Sequence, residues 1–421
     1  MSGVPELADP LVWATGIEDT FIAETGPGKR RLDEYELQQH YRLWREDIDL
    51  AAEVGFSMIR YGIPWYRVEP QPGSFEWGFT DQVIPYMLER GLEPIVDLMH
   101  YGTPLWLDGG FISPDYPQRV ATYAAAFCAR YPSVRYYTPF NEPFIAAELC
   151  GREARWPPGL SGDEGFCAVA NGVSRGVVRT VEALREQRAD SVMVHVEATG
   201  IVLTDDPALQ ERARLDMDRH LTTLELIQGR VNASHFLYPY LTANGLTDDD
   251  LIWYQAGNVT MDVLGLNYYP MLSVERRHAG GLVEPVWGGA QYLERIVNEH
   301  LARYEVPVFI TETSASERAA PIFSAAQTRA SYNDTRPDGL RSSWLGEVVQ
   351  SVERMRAAGV PLIGLTWWPL YDLVNWDYRE GSGAVEDYLE PMGLYSLTMD
   401  EGLLKRGPLE VARELQALIR R

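Results

Sequence analysis

The sequence predicts a (β/α)8 barrel, an α/β fold in which a closed parallel sheet is wrapped by helices. Short apolar runs rich in Val, Ile, Leu, Tyr and Trp recur along the chain, and amphipathic stretches of helical period separate them. The longest irregular segments each follow a run, and the runs number eight, as such a barrel requires.

In order, the strand candidates are 11–17, 56–63, 92–99, 134–141, 191–198, 261–268, 306–312 and 361–368. Gly55 and Gly91 stand just ahead of the second and third, where glycine closes a helix before the chain enters the sheet. Helices are expected at 35–54, 81–90, 116–130, 168–188, 207–229, 290–303, 341–358 and 409–420, about one per strand. In the first of these, Leu37, Tyr41, Trp44, Ile48 and Ala51 recur every three or four residues, so one face packs on the sheet. Segments near 143–165, 270–289 and 313–339 are irregular and follow strands, where a barrel places its functional loops. No low-complexity linker divides the units, so the 421 residues read as a single domain. An open doubly wound sheet would need a glycine-rich phosphate turn at the first strand end. Gly26-Pro27-Gly28 lies too far on and lacks the third glycine.

Composition removes several function classes. A formal net charge of -23 repels phosphate backbones and anionic lipid surfaces, so neither nucleic acid nor membrane is the expected partner. The N-terminal residues 1–16 lack the basic start and apolar core of a secretory signal, and no stretch approaches the ~20 apolar residues of a membrane span. A cytoplasmic location is therefore expected. Three cysteines, Cys128, Cys150 and Cys167, form no CxxC pair, and the seven histidines form no HxH or HExxH pattern. Neither a disulfide framework nor a metal site is expected, and no cofactor.

The chemistry centres on two glutamates. Glu142 in Thr-Pro-Phe-Asn-Glu-Pro (138–143) and Glu312 in Ile-Thr-Glu-Thr (310–313) fall at the ends of strand candidates four and seven, which share one rim of a barrel. Carboxylates ~5 Å apart across that mouth suit double displacement at an anomeric carbon, whereas an inverting hydrolase would hold them ~6.5–9.5 Å apart. One must be protonated and the other ionised: mutual repulsion raises one pKa, and a nearby guanidinium keeps the other low. Each glutamate taken alone would pass for an ordinary strand-end charge.

Further motifs follow in order: Ile59-Arg60-Tyr61-Gly62-Ile63-Pro64-Trp65, Leu98 to Leu107, Phe140-Asn141-Glu142-Pro143, Trp156-Pro157-Pro158-Gly159, Gly265-Leu266-Asn267-Tyr268-Tyr269, Ile310 to Thr313, and Trp367 to Trp376. With these the chain resembles glycoside hydrolase family 1, the β-glucosidase family of the larger eight-fold-barrel clan, from Trp13 to the final helix. The resemblance implies that Glu142 protonates the leaving oxygen, that Glu312 is the nucleophile, and that Asn141 grips the sugar 2-hydroxyl. It implies further that Arg60 hydrogen-bonds Glu312 and holds it ionised, that Tyr269 donates to the nucleophile, and that Asn267 lines the site. His100 would bind the 3-hydroxyl, and Trp368 would be the floor under the sugar, followed by a cis peptide to Pro369. Trp65, Trp106, Trp156, Trp368 and Trp376 offer apolar faces to sugar C–H surfaces, although tryptophan is also plain core material.

Two positions depart from the family. At Asn375 the family places a glutamate that binds the 4- and 6-hydroxyls. A first-strand glutamine for the 3- and 4-hydroxyls has no clear counterpart, with Glu18 the candidate. Asp377, Tyr378 and Arg379 either compensate or form a rim without ligand contact. The implied function is a retaining, exo-acting β-glycosidase acting on a small-molecule glycoside or oligosaccharide. A transglycosidase, a non-catalytic sugar-binding barrel and an inverting hydrolase remain as alternatives, and the oligomeric state stays open.

Overall fold

Alternating apolar segments of this length satisfy their backbone only by pairing side by side, and in the computed structural model they close into a ring. It describes residues 10–276, 283–316 and 339–421. The barrel strands are β1 Val12–Gly16, β2 Met58–Gly62, β3 Glu93–Asp97, β4 Tyr136–Thr138, β5 Val192–Thr199, β6 Val263–Tyr268, β7 Val308–Thr313 and β8 Leu362–Trp367. Each is parallel to the next, and β1 pairs with β8 to close the ring. Every expected strand is present, with its ends within three residues of the expected ones.

Alternation along the strands sorts the side chains. Ala14, Met58, Ile95, Val194, Val263, Phe309 and Ile363 fill the barrel interior, while Ile59, Val96, Leu264, Val308 and Leu362 face the helices. Eight helices are used below as landmarks: α1 His40–Val54, α2 Thr80–Glu89, α3 Tyr116–Arg130, α4 Gly162–Gln187, α5 Asp248–Ala256, α6 Gly289–Tyr304, α7 Gly339–Ala357 and α8 Glu410–Ile419.

Several expectations need correction. The helix expected at 35–54 breaks at Gln39, where φ is 60°, because His40 turns inward to contact Asp47 at 2.7 Å and Tyr61 at 2.8 Å. The stretch 207–229 is two short helices, Gln210–Asp218 and Thr222–Ile227, with a tighter turn between them. That turn buries Arg219 against Glu148 at 2.9 Å and Asp216 at 3.3 Å, and a continuous helix would not present it so. Helix α5 was not expected; Thr247 and Asp250 form its reciprocal cap. The segment 143–165 contains a helical turn, Pro143–Ala146, and a wide turn, Ala147–Arg152. Within 270–289, Ser273–Arg276 pairs with Val283–Val286 and with Val202–Leu203. Most of 313–339 lies outside the described residues. All three cysteines are free and buried. Among the described residues no helix is long and apolar enough to cross a membrane.

Candidate active site

Alternation brings side chains of the strand ends to the mouth of the barrel. Arg60 follows Met58 inward on β2, and Asp97 follows Ile95 on β3. On β7 the same rule would turn Glu312 outward, since Phe309 and Thr311 face in. A β-bulge between Ile310 and Glu312 shifts the register against β6, so Ile310 pairs with Leu266 and Glu312 with Asn267. The extra residue re-aims Glu312 into the mouth. Glu142 arrives differently, beyond the end of β4. Asn141 bridges to Val196, the Glu142 N–H donates to the Val196 carbonyl at 3.0 Å, and Glu142 takes a left-handed φ of 45°. That conformation costs a non-glycine residue about 1–2 kcal/mol.

Both glutamates line one cavity of about 800 Å³, together with Glu18, His100, Tyr269, Trp368, Asn375 and Trp376. Arg60, Asn141 and Asn267 do not line it; they stand behind the wall and reach it through other side chains. Arg60 bonds Glu312 as expected, while Asn141, expected at the sugar 2-hydroxyl, and Asn267, expected to line the site, direct their amides to protein groups. A larger hollow of about 1000 Å³ on the outside of the barrel, between α4 and the loop 111–118, has Glu164 as its only carboxylate.

The two carboxyls are held by different donors. Arg60 Nη1 donates to Glu312 Oε1 at 2.5 Å and the Tyr269 hydroxyl to Oε2 at 2.7 Å. Glu142 Oε1 accepts from Asn267 Nδ2 at 2.8 Å, and Oε2 accepts from the Tyr101 hydroxyl. Burial raises the pKa of both, and the charge on Glu142 raises that of Glu312. Against this, the guanidinium is in contact with Glu312, where it is the foremost lowering influence. Glu142 is met by neutral donors, so the ionised form is favoured by a full positive charge at Glu312 and only by dipoles at Glu142.

Arg60 organises the region. Its Nη2 donates to Asp97 Oδ2 at 2.5 Å and to Asn141 Oδ1 at 2.8 Å, and its guanidinium carbon lies 4.7 Å from the centroid of Trp368. Because Arg60 fixes the Asn141 oxygen, Asn141 Nδ2 points at His100 Nε2, 2.9 Å away. His100 Nε2 must then accept, which places the ring proton on Nδ1, facing Asp19 at 2.5 Å. Burial opposes a charged ring at His100, while Asp19 and Asp97 push its pKa well up. The Asn141 amide opposite Nε2 and the carboxylates opposite Nδ1 pull the ring toward different protonation states. Asp19, Asp97 and His100 are the one group among the described residues close enough to share a metal ion. Arg60 already occupies Asp97 and His100 already meets Asp19, so this set fits an ion-pair network.

The glycone side shows how the departures are accommodated. Trp368 forms the floor, followed by a cis peptide to Pro369 as expected, and Glu18 Oε2 accepts its Nε1 at 3.1 Å. A side chain on Gly16 would meet the Trp368 ring at 2.1 Å, so the bare backbone there is what lets the floor lie flat. Asn375 spends its Oδ1 on the Asp377 amide at 2.9 Å and turns its Nδ2 toward Glu390 at 3.5 Å. Glu390 is buried, lines the cavity, and accepts from Ser316. It sits opposite Leu373 in the antiparallel pair of Leu373–Val374 with Leu389–Glu390, which brings a carboxylate to the wall beside Asn375. Of the candidates to compensate, only Asp377 lines the cavity, paired with Arg155. Tyr378 lies under Arg30, and Arg379 bonds the carbonyls of Glu24 and Arg30.

Sequence reasoning missed Tyr101, Asp19, Asp97 and Glu390. Asp97 could have been found from its parity with Ile95. Glu390 carried no local signal, since only the hairpin pairing brings it to the cavity.

Comparison with known proteins agrees with this fold. Residues 14–283 match the model of glycosyl hydrolase family 1. The chain is similar to a 6-phospho-beta-glucosidase from Clostridium longisporum, 24% identical over 83% of this chain and 82% of that protein. It is similar also to a 1,4-beta-D-glucan glucohydrolase from Thermotoga neapolitana, 24% identical over 81% and 83%. Among solved structures, a beta-glucosidase from Thermotoga maritima in complex with azafagomine covers 98% of both chains with a TM-score of 0.81 at 19% identity. With the closed barrel, the carboxyls at its fourth and seventh strands and the family match over most of its length, the chain belongs to glycosyl hydrolase family 1.

Proposed function

We propose that the protein is a retaining, exo-acting β-glycosidase that hydrolyses O-glycosidic bonds by double displacement. Glu312 is the nucleophile and Glu142 the general acid and base. The observation that carries this reading is the unequal treatment of two carboxyls facing one cavity, one bonded to a guanidinium and the other to neutral donors.

In the first half-reaction a Glu312 oxygen bonds to the anomeric carbon while the bond to the leaving oxygen breaks and Glu142 delivers its proton there. In the second, water gives a proton to Glu142 and bonds to the same carbon from the opposite face. The electron pair of the ester bond returns to Glu312, so configuration is retained. Tyr269 and Arg60 stabilise the departing carboxylate. Trp368 supports the ring, and Glu18, His100, Asn375 and Trp376 hold the far side of the sugar. The similar proteins named above include both a 6-phospho-beta-glucosidase and a 1,4-beta-D-glucan glucohydrolase. Glu18 and Glu390 in the cavity favour an unphosphorylated glycone, since the cations that also line it, Lys29 and Arg155, are already paired with Glu380 and Asp377.

Paired variants test the assignment. Glu312→Gly should abolish turnover of an aryl β-glycoside, and azide should restore it with an α-glycosyl azide as product. Glu142→Gly with azide should give the β-azide, because azide then attacks the glycosyl-enzyme from the acid/base side. Identical products from both variants, or no rescue of Glu312→Gly, would place the nucleophile elsewhere.

A further inference from the structure

We infer that Tyr101 is a further catalytic residue, the end of an oriented donor chain that favours the ionised form of Glu142 and so serves the half-reaction in which Glu142 acts as a base. The inference rests on the glycosidase reading above and adds a group to it.

The direction of each hydrogen bond follows from the first. Arg60 can only donate, so Asn141 Oδ1 accepts at 2.8 Å and Asn141 Nδ2 must donate. One of its partners is the Tyr101 oxygen at 3.1 Å, which leaves the phenolic hydrogen for Glu142 Oε2. Arg60 thereby acts on both carboxyls, on Glu312 by contact and on Glu142 through two relayed donors. Burial and the charge of Glu142 keep the Tyr101 phenol protonated, so it remains a donor throughout the cycle.

Its position is fixed at a cost in backbone freedom. Tyr101 has a left-handed φ of 73°, and the next residue is a glycine whose Cβ would fall 1.5 Å from the Phe21 carbonyl. The Phe21 N–H in turn donates to the His100 carbonyl at 3.2 Å. The ring is packed edge-on by Trp376 at 5.6 Å and against Trp156 at 5.1 Å. A residue kept only for packing needs no hydroxyl aimed at an acid/base group.

The step served is deglycosylation. Water passes one proton to a Glu142 oxygen as its own oxygen bonds to the anomeric carbon, and the Glu312 ester bond breaks with its electrons returning to Glu312. A hydrogen bond to the carboxylate form of Glu142 favours the ionised state from which this step starts.

Tyr101→Phe removes the hydroxyl and keeps the ring. With an aryl β-glycoside of good leaving group, kcat should fall about 10–100-fold and KM should fall with it, as glycosyl-enzyme accumulates. The basic limb of kcat/KM, where Glu142 loses its proton, should move up by about one pH unit. Incorporation of 3,5-difluorotyrosine at 101 strengthens the donor without altering packing and should move that limb down. The ionisation of Glu142 is read independently of turnover by infrared difference spectra of its carboxyl band, assigned with Glu142→Gln. Tyr101→Phe should shift that titration upward whatever the substrate proves to be. A limb and a carboxyl titration unmoved by both replacements would overturn the role of Tyr101. Absence of turnover in the unmodified protein on every aryl β-glycoside would count against the glycosidase reading alone.

Discussion

Asn267 donates its side-chain amide to Glu142 at 2.8 Å, and its amide oxygen accepts from the hydroxyl of Thr311, the residue before Glu312, at 2.7 Å. One β6 side chain thus spans the mouth between the two glutamate-bearing segments. The bulge that turns Glu312 inward is locked by the same contact that orients a donor to Glu142.

Asn267→Asp keeps the shape and the bond to Thr311 but turns the group facing Glu142 from donor to acceptor. A like charge beside a buried carboxyl raises its pKa, so the basic limb of kcat/KM should shift to higher pH. Because less of Glu142 would be ionised when water attacks at neutral pH, kcat should fall about 100-fold. pH–rate profiles on an aryl β-glycoside check both; an unshifted limb would mean that Asn267 only braces the strands.

Arg60→Lys retains a positive charge without the planar fork. One ammonium cannot serve Asp97, Asn141 and Glu312 together, and loss of the contact that opposes burial raises the Glu312 pKa. The acidic limb of kcat/KM, where Glu312 becomes ionised, should therefore move up in pH. Leaving buried carboxylates unpaired should also cost about 3–5 kcal/mol of stability, measurable by denaturant unfolding.

Behind β5, His195 and His220 are buried, and burial pushes the pKa of each down to about 3. Unfolded histidine titrates near ~6.5, so the unfolded chain binds more protons below that value and stability falls as pH drops toward ~3. The contribution is fully present above ~6.5 and at pH 4.5 each histidine should have lost about 2–3 kcal/mol. His195→Gln should flatten the difference in denaturant midpoint between pH 7.5 and 4.5. An unchanged slope would place the acid sensitivity elsewhere.

Restoring the glutamate at 375 should not restore a better glycone site. The Asn375 amide faces Glu390 at 3.5 Å, so Asn375→Glu sets two carboxylates against each other in a buried wall. KM for an aryl β-glucoside should rise several-fold with kcat little changed, and Glu390→Gln in the same chain should reverse part of the rise. An improved KM in the single variant would show that Glu390 does not fill the place of the missing side chain.

The legible part of this protein was what local pattern encodes. β-branched and aromatic runs marked the eight strands to within three residues, because a parallel barrel buries both faces of every strand and leaves a nearly continuous apolar signature. The glutamates, Arg60 and Tyr269 stood in short motifs at strand ends, where the fold itself puts side chains at the mouth. Helix continuity was less legible: the breaks at Gln39 and Arg219 come from buried polar contacts with distant partners, which no helical period records. Tyr101 was passed over as a neighbour of His100, because its importance lies in where its hydroxyl points.

By itself, then, the sequence determined the barrel, its strand positions and the two carboxyls proposed here for the chemistry, since each depends on residue type and spacing along a few consecutive positions. Tertiary structure alone decided which way those groups face and what holds them. The Glu312 bulge, the donor chain from Arg60 to Glu142 and the placing of Glu390 beside Asn375 all depend on contacts between segments apart in the chain. Hydrogen bonds are directional and short-ranged, so a wall built from several strands becomes defined only when the closed sheet brings them together.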